Sequence, residues 1–446
     1  MTNQVNQTNT TSHSAKPIYG HIRGIGLLVA LLLIFSYPML NHLVGSTWLA
    51  DSEADWDVYM KMWDSWYFNQ MVWNGAEFFH TDFLFYPEGA SLVYHNFNVP
   101  YMVVMSVLTP FIGAVSAFNL TALILMLANA ISGYWFSHRL TKNLWAAILG
   151  GIIMGFLPYV VGNIRHPDLT LLALIPPLLV FFHIAMTKCR WWAVVSAAIT
   201  LAIHAYIGMY ILVVLTLTLL GLFANYALRA NRWKQPSFWI TAVIFGLLTL
   251  TVAMPRILPM IQDRDALDFA LEEKYANASP NHNVDLVNYV LPTENPFFRR
   301  IEGRFFPRLI QSRAFMHYLG LTTLALATIG MLSPYRKQLW GWLSFSVFFA
   351  ILALGPVLYF NGTLTNVVLP KFILDDLLPI VFQSFGWSRH FHVGIIVPLM
   401  VMAVFGFKFM LEKLQRPTLR NALGAFVLIA VSVDLWTDNI KGFDMQ

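Results

Sequence analysis

The sequence predicts an all-α, polytopic membrane protein with about eleven spans, and three observations predict it. The chain of 446 residues is 57% hydrophobic and only 11% charged, with a mean hydropathy of +0.59, whereas soluble domains carry roughly 25% charged residues. Apolar runs near the ~20 residues that cross a hydrocarbon core recur along its length. Fifteen Trp and 35 Phe supply the aromatic side chains that favour membrane interfaces.

The elements follow in order. Residues Met1–Gly20, rich in Asn, Thr and Ser, read as a disordered cytoplasmic tail, and residues 21–446 as one transmembrane domain. The first apolar run, Ile22–Val44, lacks a small-x-small cleavage site and reads as a retained span. Further spans are expected at Val115–Leu140, Leu144–Val161, Leu169–Met186, Trp192–Ala205 and Gly208–Leu228. The rest are expected at Phe238–Ile257, Ala314–Leu332, Leu339–Tyr359, Val393–Leu411 and Ala422–Trp436. Val99–Gly113 is shorter and contains Pro110, so it reads as an interfacial or re-entrant helix. The fifth and sixth spans share a turn near His204–Ile207.

Charge orients the bundle. With a cytoplasmic N-terminus, the basic groups Arg139/Lys142, Lys188/Arg190, Arg229/Arg232/Lys234, Arg336/Lys337 and Lys408/Lys413/Arg416/Arg420 all fall on the inner side, with Glu412 the one acid among them. That is the positive-inside pattern of a multi-pass protein of the plasma (inner) membrane. The formal charge of +5 is therefore spent on topology, which excludes nucleic-acid binding. The single cysteine, Cys189, excludes an internal disulfide and a Cys-based metal cluster. No phosphate-binding loop or dinucleotide fingerprint is present. Three long outer loops remain, 51–98, 258–313 and 360–392, and long loops on one side of a bundle carry function more often than connection.

The first outer loop opens with Asp51, Glu53, Asp55 and Asp57 and continues as a helical stretch from Trp56 to Asn74. Trp56, Tyr59, Met60, Trp63, Tyr67 and Met71 share an aromatic stripe expected to face lipid, while Asp57, Lys61 and Asp64 share another face. Two readings of Asp57 stand. It caps the helix and pairs with Lys61 four residues on, or it is a general base at a membrane-surface site.

The segments Asp57-Val58-Tyr59 and Trp63-Asp64-Ser65-Trp66, then Phe79–Gly89, Leu354-Gly355-Pro356 and Arg389, resemble in order and topology the GT-C superfamily of membrane glycosyltransferases, over roughly residues 20 to 411. The resemblance implies a GT-C-like fold with interfacial helices in the first outer loop. It implies inverting transfer of a sugar from a polyprenyl-phosphate carrier to an extracytoplasmic glycan, lipid or protein, with Asp57 as catalytic base. Donor contacts would come from Arg389, His390, Arg165, His166 and Lys61, arginine's planar fork being suited to phosphate. In the oligosaccharyltransferase branch the second outer loop carries an acidic pair that holds a divalent ion. Here Gly162–Asp168 offers only Asp168 beside His166, so the implied cofactor is either none or one Mn²⁺ or Mg²⁺ at Asp57 and Asp168. The expected partners are the lipid-linked donor, the outer acceptor and the bilayer. A transporter or flippase for a lipid-linked glycan, and a glycan polymerase or ligase, are the alternatives. Transport predicts paired ionisable residues near mid-membrane and broken, repeated helices, whereas the expected spans contain almost no mid-membrane acid and no internal repeat.

Overall fold

The computed structural model describes residues 15–37, 47–48, 56–229, 231–263, 282–292, 295, 314–378, 387–436 and 443–444. Arg299, Arg300, Arg304, Arg308, Arg313, Tyr275, Glu294 and the side chain of Asp57 lie outside the described residues.

The fold is a helical bundle. α1 (Ala15–Phe35) begins inside the segment expected to be a tail, since Ala15–Gly20 are already helical. β1 (Thr47–Trp48) precedes α2 (Trp56–Asn74), and a short hairpin of β2 (His80–Thr81) and β3 (Ala90–Ser91) follows. α3 (Val99–Ile112) meets α4 (Ala114–Thr141) at Gly113, whose φ of 79° lies in the region open to glycine. α5 (Leu144–Phe156) continues into α6 (Pro158–Gly162), and a turn leads to α7 (Pro167–Thr170) and α8 (Ile175–Lys188). α9 (Trp191–His204), α10 (Met209–Arg229) and α11 (Pro236–Gln262) come next. The last third holds α12 (Leu321–Leu332), α13 (Arg336–Ala353), the hairpin β4 (Val357–Phe360) and β5 (Thr363–Val368), and α14 (Pro370–Leu377). α15 (Val393–Glu412), α16 (Pro417–Asp434) and β6 (Phe443–Asp444), antiparallel to β1, close the chain.

Among the described residues, six stretches are long and apolar enough to cross a membrane: Ala114–Thr141, Leu144–Gly162, Met209–Arg229, Pro236–Gln262, Ser388–Glu412 and Pro417–Asp434. The core sits where α4 meets α5 and where α15 meets α12 and α13. Small residues permit those approaches. A Cβ at Gly133 or Gly150 would collide with the partner helix of the α4–α5 pair, and one at Gly330 or Gly406 with that of the α12–α15 pair. α11, by contrast, turns Leu247, Leu250 and Ile261 outward.

Three expected spans differ, one in that Ala314–Leu332 opens as the 3₁₀ turn Ala314–His317 and becomes α-helical only at Leu321. The run Leu169–Met186 is broken: α7 ends at Thr170 and α8 starts at Ile175. Pro167, Pro176 and Pro177 lack donors for a continuous ladder, and side chains of α4 satisfy the gap instead. Asn129 Nδ2 donates to the Thr170 carbonyl at 2.6 Å, the Leu172 amide donates to Asn129 Oδ1 at 2.9 Å, and Ser132 Oγ donates to the Ala173 carbonyl at 2.6 Å. The run Leu339–Tyr359 stops being helical at Ala353, past which Gly355 has a φ of 89° and Val357–Phe360 forms β4.

The third outer loop is tied to this hairpin. Asp285 caps the 3₁₀ turn Leu286–Tyr289 through the Val287 amide at 3.0 Å and accepts the Asn361 and Gly362 amides at 3.1 and 2.6 Å. Replacing Asn129 by Leu should leave the Thr170 carbonyl and the Leu172 amide only their 2.9 Å bond to each other, at a total loss of roughly 1–3 kcal/mol. Thermal and denaturant unfolding of the purified protein would register the loss; an unchanged midpoint would show that the break does not depend on α4.

Candidate functional site

The candidate site is built on α2. No Gly or Pro interrupts Trp56–Asn74, and Gly75, at φ 71°, ends the helix. Its inner face buries Val58, Lys61, Asp64, Ser65 and Tyr67. The aromatic stripe expected to face lipid divides differently. Trp63 stacks on Tyr67 at 4.8 Å, and Tyr67 packs with Leu92, Phe97 and Met102, so this part of the stripe is core. Tyr59, of the expected stripe, is exposed, and with it Trp66 and Trp73, which the stripe did not include. Periodicity identified a face that the loop's own aromatics cover.

Residues 92–98 cross the top of this helix as a strap with no regular structure of its own. Arg256, buried on α11, donates from Nη1 to the Val93 carbonyl at 2.8 Å and from Nη2 to the His95 carbonyl at 2.6 Å. Tyr94 donates its hydroxyl to the Met260 and Asp263 carbonyls. Lys61 Nζ donates to the Asn96 carbonyl at 2.6 Å, and the Val99 amide donates to the Tyr206 carbonyl at 2.8 Å. The Asn98 side chain caps α3 through the Tyr101 amide. Burial raises the Tyr206 phenol above its ordinary pKa, and the Arg256 guanidinium beside it acts in the opposite sense.

The strap delivers two side chains to the acids. His95 Nε2 donates to Asp64 Oδ1 at 2.5 Å, and Asn96 Nδ2 donates to Asp168 Oδ2 at 2.5 Å. Lys61 Nζ lies 3.3 Å from Asp64 Oδ2 and 4.0 Å from Asp168 Oδ1. Lys61 and Asp64 side chains are 2% and 1% exposed, while His95 is 17% exposed and forms the open edge of the group. Asp168 sits in the first turn of α7, where Gly208 packs on its carbonyl with no room for a Cβ.

A second group lies on the 3₁₀ turn Ser388–His392. Arg389 lies over the Trp387 ring at 4.2 Å, Trp387 stacks on His390 and on His282, and His390 lies 4.6 Å from the Tyr210 ring. Behind them His392 stacks on Tyr159 at 4.9 Å, with His317 and Tyr289 at 5.1 and 6.0 Å. Burial pushes the Tyr289 phenol up, and its hydroxyl donates to the Ala350 carbonyl at 2.8 Å. Farther out on α14, Lys371 and Asp375 form a buried pair at 2.7 Å; burial lowers the Lys371 ammonium and Asp375 pulls it back up.

The residues singled out from the sequence therefore fall as follows. Lys61 and Asp168 meet in one network, while Arg389 and His390 lie on the turn Ser388–His392, where the His390 ring is 4.6 Å from that of Tyr210. Arg165 is buried and His166 half-buried in the turn leading into α7. Asp57 is in the first turn of α2, four residues before Lys61. Sequence reasoning missed Asp64 as a member, and His95, Asn96 and His317 altogether. The one available signal was the polar His95-Asn96 pair between Tyr94 and Phe97 in an otherwise apolar stretch.

Metal ligation fits this geometry poorly. Asn96 Nδ2 donates to Asp168 Oδ2, and the Lys61 ammonium lies 4.0 Å from Oδ1, which takes no hydrogen bond among the described residues, whereas a hard divalent ion requires several oxygen ligands. Among the described residues, no three His, Cys, Asp or Glu side chains converge.

The model of a domain of unknown function, DUF6311, matches residues 24–391. The chain belongs to the DUF6311 family. No curated protein matches it. The DUF6311 match runs from α1 through Phe391, so it contains Lys61, Asp64, His95, Asn96, Asp168, Arg256 and Arg389 and stops one residue before His392. The strap is thus a feature of the DUF6311 region. Arg256→Leu should release it, since bonds to a charged group contribute about 1.5–3 kcal/mol each. Hydrogen exchange at residues 92–98 should rise steeply in Arg256→Leu and partly in Arg256→Lys, which lacks the two-pronged fork; unchanged exchange would detach Arg256 from the strap.

Proposed function

We propose that the chain is a membrane glycosyltransferase that moves a monosaccharide from a polyprenyl-phosphate carrier to an extracytoplasmic glycan, lipid or protein, with inversion. The observation that carries this reading is the burial of Lys61 and Asp64, on the first-loop helix, against Asp168 of the second loop. That is an acid–base group assembled from the two loops whose acidic residues the resemblance singles out. The bundle crosses the membrane about eleven times in this reading, with the N-terminus cytoplasmic and the site on the outer face of the plasma membrane.

The division of labour follows from charge. Asp57 shares a helical stripe with Lys61 and Asp64, being four and seven residues before them. It is the proposed general base, taking the proton of the acceptor hydroxyl as that oxygen attacks the anomeric carbon from the face opposite the leaving phosphate. The departing lipid phosphate carries its own negative charge, so it needs fixed cations and donors more than a proton. Arg389, held flat on Trp387, supplies a planar guanidinium for it, with His390 beside it. Arg165, His166 and Lys61 complete the proposed donor contacts.

Transport of a lipid-linked glycan is the second reading, and one observation favours it. The break between α7 and α8 sits next to the buried Lys61–Asp168 pair, and broken helices beside paired charges are what alternating-access proteins use. A panel of polyprenyl-phosphate sugars, offered to the protein in nanodiscs, separates the two. Sugar transfer that falls about 10²–10⁴-fold in Asp57→Asn supports the transferase. Full transfer in Asp57→Asn and Asp57→Ala removes Asp57 from the mechanism, and flipping of the intact donor without its cleavage establishes the transporter.

A further inference from the structure

We infer that the ammonium of Lys61 is the resident cation of the acid cluster and occupies the position that a divalent metal ion would need there. An ammonium has three N–H donors and no acceptor. Nζ donates to the Asn96 carbonyl at 2.6 Å and to Asp64 Oδ2 at 3.3 Å, and it faces Asp168 Oδ1 as an ion pair at 4.0 Å, an oxygen that takes no hydrogen bond among the described residues. These are the oxygens a hard cation would choose, two carboxylates and a backbone carbonyl.

The remaining carboxylate oxygens are already taken. Asp64 Oδ1 accepts from His95 Nε2, and Asp168 Oδ2 accepts from Asn96 Nδ2. A Mn²⁺ or Mg²⁺ ion placed among these acids would therefore share its oxygens with a positive charge that has almost no route out, since the Lys61 side chain is 2% exposed and leads back to a packed helix. Repulsion between two buried cations sharing ligands is large, because little water screens it.

The choice of lysine has consequences for the site. A covalently held cation is always present, cannot be chelated and fixes the two acids at a constant spacing. It also ties the strap to the acids, because the same Nζ holds the Asn96 carbonyl. A lysine is a point charge with no open coordination position, so it orients and neutralises but does not polarise a bound water as a metal does. The inference concerns the cation itself, and only its activity arm rests on the sugar-transfer reading.

The test is a titration of the full-length protein in nanodiscs with Mn²⁺ alone, read by electron paramagnetic resonance. The wild type should bind no stoichiometric Mn²⁺ up to millimolar concentration, and its melting temperature should be the same in EDTA and in Mn²⁺. Lys61→Ala should gain one Mn²⁺ site at least tenfold tighter than anything in the wild type, and Asp168→Asn in that background should abolish it. One Mn²⁺ bound per wild-type chain and lost in Asp168→Asn would overturn the inference, as would a folded Lys61→Ala protein with no gain of binding. Should Lys61→Ala fail to fold, the wild-type and Asp168→Asn titrations still decide. Where transfer activity is found, its survival in EDTA supports the inference, and loss restored by Mn²⁺ overturns it. Absence of transfer with every donor counts against the transferase reading and leaves the titration to judge the cation.

Discussion

Two buried cations clamped on one irregular strap are the constraint on which the rest of the site depends. Residues 92–98 have no ladder of their own, and a backbone without a ladder survives inside a packed bundle only where other groups satisfy its carbonyls. Arg256 from α11 takes two of those carbonyls and Lys61 from α2 takes a third, so helices far apart in sequence are joined through one segment. The acids then become intelligible as counter-charges. Asp64 and Asp168 neutralise Lys61, and the strap's His95 and Asn96 take the carboxylate oxygens that Lys61 leaves.

Such a network is a poor source of stability. Desolvating two carboxylates and an ammonium costs several kcal/mol per ion before their attraction offsets any of it. What the arrangement gains is position. Each member has more than one restraint, so none can rotate without breaking the others, which is the condition for holding functional groups within a fraction of an ångström. Stability comes from elsewhere: from α4 against α5 and α15 against α12, where glycines let backbones approach, and from the Trp63–Tyr67–Phe97 stack that supports the strap from below.

The parts legible in the sequence were those set by the bilayer's length scale. Runs such as Val115–Leu140, Leu144–Val161 and Phe238–Ile257 appear within a few residues of α4, α5–α6 and α11, because an apolar run of that length has few alternatives to a helix. The run Leu169–Met186 defeated the same reasoning. Hydropathy is blind to a missing donor, and the compensation lies 41 residues away at Asn129 and Ser132. The stripe Trp63–Tyr67–Met71 failed for a related reason: periodicity tells which residues share a face but not whether lipid or another loop covers it. His95 carries no periodic signal at all. Its partner Asp64 is fixed by the path of the strap, and the strap's path is set by Arg256, 161 residues away.

The broken segment α7–α8 joins these points. Asp168 reaches Lys61 only because the chain turns at Asn163–His166 and stops being helical again after Thr170, which puts the carboxylate at the end of the bundle rather than along a span. A continuous helix from Leu169 to Met186 would leave no reason for Gly208 to press on the Asp168 carbonyl or for Asn129 to turn its amide into the gap. The glycine, the asparagine and the prolines of this region thus serve one outcome, the placement of a single carboxylate against a buried ammonium. Placement of that kind is costly in backbone satisfaction and weak as a source of stability, so its presence is best explained by what the acids and the cation hold between them.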